Sequence, residues 1–277
     1  MIAAALLLAA AGACPPPAPS GMIARAAAFG GVIAPSAEQA EEAVVAGMLA
    51  RDAARHFLGV EGHTFLIAPR SSEAASTPHG CAFLFAWDFV PPGGRRAPTH
   101  VLPHEIGHSM FIRFLAPGTG AQEYGGGAPD WLDEMAAMAF EDASGVRTRR
   151  SEARRHALRG ALIPLSRLLS MPHPEWAARR AQDTAPGGSP MSQPASADTP
   201  AFYATVRALF DFLIHRTGDE RVVRLLADQL RAGRPLERWL LDHIRADGLP
   251  GLDAEIQAFV LSDRAYRDLP ETGAPQG

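Results

Sequence analysis

The sequence predicts an α+β fold, with a small sheet and one enclosed helix in its N-terminal part and only helices in its C-terminal part. Three observations carry that expectation. Strand-like runs, His63 to Ala68 and Cys81 to Val90, occur only before residue 100. A strongly apolar helical pattern follows, carried by Val101, Leu102, Ile106, Met110, Phe111 and Phe114. From Asp130 onward the chain reads as helices separated by glycine, proline and polar breaks. The 277 residues suffice for one large domain or for two lobes sharing a cleft.

Taken in order, residues 1–13 form an apolar stretch too short to span a bilayer, and read as a secretory or lipoprotein signal. Ala11-Gly12-Ala13-Cys14 resembles a bacterial lipobox, although no Lys or Arg precedes the apolar run. Cys14 is then either a lipid anchor or the disulfide partner of Cys81, the one other cysteine. Export to the periplasm, the medium or the envelope surface is the expected localisation. Residues 14–35, rich in Pro, Gly and Ala, read as a flexible tether. Ser36 and Gln39 form a capping-box pattern, which starts a helix at Ala37 that runs to Leu58 and stops at Gly59.

The strand His63 to Ala68 ends at Pro69, and the nearly continuous apolar run Cys81 to Val90 suggests a strand buried on both faces. Pro91-Pro92-Gly93-Gly94 breaks it, and Thr99 is the expected N-cap of the next helix. A glycine-rich loop, Gly118 to Ala128, leads to a helix from Asp130 to about Glu141. Residues 36–150 therefore form the N-terminal lobe, and 151–277 the helical lobe. In the latter, helices are expected at 151–172 with an interruption at Pro164, and at Phe202 to Thr217. Others follow from Asp219 to Gly233, from Pro235 to Asp247 and from Leu252 to Tyr266. Ala181 to Pro200 is a low-complexity insert expected to be mobile.

Composition narrows the function. Apolar residues make up 47% and charged residues 20%, the balance of a soluble globular protein. The formal net charge of -4 excludes the basic footprint of a nucleic-acid binder. Oligomeric state is not legible.

The chemistry concentrates in His104-Glu105-Ile106-Gly107-His108. Residues four apart lie on one helix face, so His104 and His108 can direct both imidazoles at a single Zn2+ ion. Glu105, turned about 100° from His104, lies beside that ion and can act as a general base. Zinc lowers the pKa of bound water to about 7, which places the proton within reach of such a carboxylate. Apolar surroundings would make two histidines and a glutamate costly without a partner. Gly107 costs about 1 kcal/mol in a helix relative to alanine, which suggests that something, backbone being one candidate, passes close to the helix there.

Pro129-Asp130-Trp131-Leu132-Asp133-Glu134-Met135-Ala136-Ala137 resembles the W-L-x-E-x-x-A helix that supplies the glutamate ligand in gluzincin metallopeptidases. The order of elements from about residue 36 to 262 is similar to that of the bacterial peptidase MA-like proteins. That resemblance implies a zincin-like core followed by a helical lobe, with Glu134 as third zinc ligand beside His104 and His108. Asp130 and Asp133 then read as helix-start acids or as partners behind the ligands. It also implies an oxyanion donor from the second lobe. Tyr203 is the best placed; Tyr124 is a further option, and His215 reads as a C-terminal helix residue. The segment Gly118 to Gly125 partly resembles the aspzincin loop, but Ala121 stands where that ligand aspartate would be.

The expected activity is hydrolysis of a peptide or protein substrate, with endopeptidase action favoured because no G-x-M-E-N exopeptidase motif precedes the helix. The strand Cys81 to Val90 is a candidate for aligning extended substrate. The alternative is a noncatalytic envelope protein that keeps such a site for stability or partner binding.

Overall fold

Ser36 opens helix α1 (Ala37–Ala53) as the sequence predicts, its hydroxyl accepting the Gln39 N–H. A single π-helical turn, Ala54–Leu58, extends α1 to Gly59, whose left-handed φ of 65° ends it. The computed structural model describes residues 14–15, 17–60, 64–70, 80–90, 94, 99–118, 127–175, 198–244, 247–262 and 266. The signal segment 1–13, Tyr124 with most of its glycine-rich loop, and almost all of the 181–200 insert lie outside the described residues.

The fold is α+β, with one four-stranded sheet and predominantly helical content. Strand order is β1 (Ile23–Ala27), β2 (Gly30–Ala34), β3 (Phe65–Pro69) and β4 (Phe83–Trp87). Strands β1 and β2 pair antiparallel with Ile23 opposite Ala34, whereas β2–β3 and β3–β4 are parallel. Gly30 and Phe65 share a register position in one pair, and Phe65 and Phe83 in the next.

The tether expected at residues 14–35 is thus half wrong, because its second half is a β-hairpin. Its alanines and glycines carry little strand propensity, and packing supplies what propensity does not. Phe29, in the two-residue turn, is buried and stacks on Phe65 at 4.5 Å. Gly30, at φ 128°, lies so close to the Phe65 carbonyl that no side chain fits there. Cys14 and Cys81 form a disulfide. A sulfur committed to that bridge cannot carry a thioether-linked lipid, so the expected anchor at Cys14 does not hold in this state.

Strand β4 is shorter than the run Cys81 to Val90. As the last strand of the sheet it buries Phe83 and Phe85 and leaves Leu84 and Ala86 less covered, rather than being enclosed on both faces.

Helices α2 (Val101–Leu115) and α3 (Asp130–Met138) follow. Thr99 does not cap α2: its hydroxyl donates to Asp142, and His100 occupies the cap position. Asp142 itself caps α4 (Ala143–Leu158), accepting the Gly145 N–H at 2.9 Å. Helix α4 begins earlier than expected because its run of arginines hides the apolar period, and Gly160 with a left-handed φ of 61° follows its end. The expected boundary at 150/151 falls inside this helix.

Further helices among the described residues are α5 (Leu165–Leu168), α6 (Thr199–Thr217), α7 (Val222–Arg231), α8 (Leu236–Ile244) and α9 (Gly248–Leu261). Helix α4 packs most extensively on α6, and α2 on α3. One apolar core runs from Phe29 and Phe65 through Phe111, Trp131 and Phe140 to Phe210 and Val260, joining the sheet to the C-terminal helices.

Candidate metal centre

Two helices build the centre, and glycine sets their separation. Helix α2 is apolar nearly all round and is buried along most of its length, which brings His104 and His108 inside with it. Pro103, near its start, costs no helical hydrogen bond there. Helix α3 packs against it so closely that a Cβ at Gly107 would meet the Ala137 Cα and the Phe140 ring at 3.0 Å. The reading of Gly107 as a site of close backbone approach holds.

That contact carries Glu134, fully buried, up to the two histidines. Glu134 Oε2 lies 3.4 Å from His104 Nε2, and Oε1 lies 3.6 Å from His108 Nε2. Ligand atoms about 2.0–2.1 Å from a tetrahedral zinc ion are about 3.3 Å apart, so these separations fit a shared ion. His104, His108 and Glu134 form a buried group that could hold a metal, each offering one donor within 4.8 Å of the others.

The far side of each imidazole is also engaged. His104 Nδ1 donates to Glu141 Oε1 at 2.9 Å, and His108 Nδ1 lies 3.1 Å from Asp133 Oδ1. A carboxylate at Nδ1 fixes that nitrogen as the donor and leaves the Nε2 lone pair for an ion. Asp133, read from sequence as a helix-start acid or a partner behind the ligands, lies in the first turn of α3 and faces the Nδ1 of His108. Glu141 was placed by sequence only at a helix end.

The electrostatics show a site built for positive charge. Burial pushes both rings toward neutrality, but Glu134 and Glu141 outweigh it and raise His104 to about 9. At His108 burial is likewise outweighed, by Asp133 and Glu134, and the ring rises to about 10. Burial works against ionised Glu134 too, yet His108 and His104 hold its carboxyl well below the usual range.

Glu105 follows His104 on α2, is only partly buried, and is close enough to act electrostatically on His108 and Tyr203. Tyr203 enters from the start of α6. Burial first, then Glu134 and Glu175, push its phenol up, so it keeps its proton as a donor. The five residues singled out from sequence (His104, Glu105, His108, Glu134 and Tyr203) therefore meet in one neighbourhood. His215 does not join them: it stacks on Phe259 at 4.9 Å, in the last turn of α6.

His173 is a member of this neighbourhood that sequence reasoning missed. Its backbone N–H donates to Asp130 Oδ2 at 2.7 Å, and its Nε2 lies 3.4 Å from Glu134 Oε1. Its ring stands edge-on to Phe202 at 5.1 Å and is 5.5 Å from Tyr203. The available signal was Pro172-His173-Pro174, a histidine stiffened on both sides just before the insert. His173 is not part of the three-residue ligand group.

Comparison of the chain with protein-family models, curated proteins and solved structures gave no match.

Proposed function

We propose that this protein is a zinc-dependent peptidase of the gluzincin kind, with a zincin-like core formed by the sheet, α2 and α3. One observation carries the reading: two histidine Nε2 atoms converge on a buried glutamate while each Nδ1 faces a buried carboxylate. Three protein ligands suit a catalytic zinc, which keeps a fourth position for water or substrate. A bound zinc ion would supply Lewis acidity and an acidified water.

The protein's own groups do the rest. Glu105 takes the proton from the attacking water and passes it to the leaving amine. Tyr203 donates its phenolic hydrogen bond to the developing oxyanion, a role worth about 2.7–4 kcal/mol where it has been measured in other enzymes. Strand β4, at the margin of the described sheet, offers backbone groups for pairing with an extended peptide or protein substrate. The Cys14–Cys81 disulfide supports export to an oxidising compartment.

The test is Glu105→Gln. Hydrolysis of an unstructured protein should be abolished, with zinc still bound near one equivalent, and a chelator should stop the parent protein. Full activity in the variant would sink the mechanism.

A further inference from the structure

We propose that Arg149 is a positioning residue that couples the metal ligand His104 to the oxyanion donor Tyr203; this rests on the zinc-site reading above. Arg149 sits on α4, the helix that packs on α6. Its Nε donates to Glu141 Oε1 at 3.1 Å, the same oxygen that accepts from His104 Nδ1 at 2.9 Å. The guanidinium carbon lies 4.5 Å from the centre of the Tyr203 ring.

One side chain thus bonds the carboxylate behind His104 and sits over the tyrosine ring. Arginine can do both at once because its fork is planar, donating in the plane and stacking out of it. The side chain is largely buried, at 18% exposure, so water does not screen these contacts as it would on the surface. Glu141 is itself fully buried, and His104 and Arg149 together offset the cost of its burial. Without the guanidinium, Glu141 would hold His104 less firmly and the Tyr203 ring would lose the surface that fixes its tilt.

Two double-mutant cycles test this without requiring turnover. The first reads zinc affinity by competition with a chromogenic chelator. Arg149→Met and Glu141→Gln should each weaken zinc by about tenfold, and the double variant should be no weaker than Glu141→Gln alone. The second reads affinity of the zinc-loaded protein for acetohydroxamate, a zinc-binding probe that presents an oxyanion. Tyr203→Phe should weaken it by about tenfold, Arg149→Met by less, and the pair no more than Tyr203→Phe. Arg149→Lys should restore zinc affinity to within about threefold but not hydroxamate affinity, because the buried carboxylate claims the ammonium and no flat face remains. With a merely structural role, Arg149→Lys would move both readouts together.

Full additivity in either cycle overturns the proposal. A protein that binds no zinc sinks this inference and the peptidase reading together. One that binds zinc with both couplings and cleaves nothing sinks the peptidase reading alone.

Discussion

Asp133 and Glu141 are fully buried acids whose partners explain them: each faces the Nδ1 of a candidate metal ligand. Asp133→Asn should weaken zinc about 10–100-fold without removing any ligand, read by the same chelator competition. A pH dependence follows for the zinc-stripped protein. His104 and His108 are raised to about 9 and about 10, so their contribution is fully present below their unfolded value of about 6.5. It is lost progressively as pH rises from about 6.5 and is gone above about 10. Urea melts of stripped protein should therefore lose stability over that window, and a flat profile would contradict the charge pattern. At this scale the sequence was legible where one helix fixed the geometry: His104, Glu105 and His108 need only the helical repeat. Glu134 was reached through resemblance to a motif. Glu141 lies 37 residues from His104, and the Glu141–His104 and His173–Glu134 contacts were illegible because they depend on how separate segments pack.

Helix α3 sits where it does because α2 has a glycine facing it. In Gly107→Ala, about 1 kcal/mol of helix propensity is gained, against about 1–3 kcal/mol for forcing a methyl group onto the Ala137 backbone and the Phe140 ring. The expected result is a net loss of up to about 2 kcal/mol in urea unfolding, accompanied by weaker zinc binding because the helix spacing also sets Glu134. Unchanged stability and unchanged affinity together would show that the close approach is not needed. Elements whose periodicity or caps were written locally were legible: α1 through Ser36, the end of α6 through Gly218. The β1–β2 hairpin was not, since Ala24, Ala26 and Gly31 look like linker, and it takes the pairing of β2 with β3 and the packing of Phe29 on Phe65 to make them a sheet. Helix α4 was seen in part, because its arginines make sense only once Glu141 and Asp211 are opposite them.

The molecule is held together across α4 and α6 by buried charge as well as by apolar packing. Asp211, fully buried on α6, pairs with Arg207 of its own helix and with Arg150 of α4 at 3.1 Å. Burial opposes its ionisation, but the two arginines keep its carboxyl below the usual range. A depressed carboxyl contributes stability above its unfolded value of about 3.9 and loses it as pH falls. Asp211→Asn should cost about 3–5 kcal/mol at neutral pH and flatten the acid limb of the stability profile, measured by denaturant unfolding from pH 7 to 3. An unchanged acid limb would assign the acid sensitivity elsewhere. Because the core and α4 both cross the expected lobe boundary, residues 36–150 alone would expose the face that α6 covers and should not fold. The disulfide adds an order of events to this picture. Synthesis delivers Cys14 first, and Cys81 follows 67 positions later, so the clasp closes only after the hairpin and β3 have been made. Closing it restricts the unfolded chain by about 4 kcal/mol on loop length alone. A chain matured under reducing conditions would have to hold its first two strands on the sheet without that clasp, and the β1–β2 hairpin would be the first place to fray.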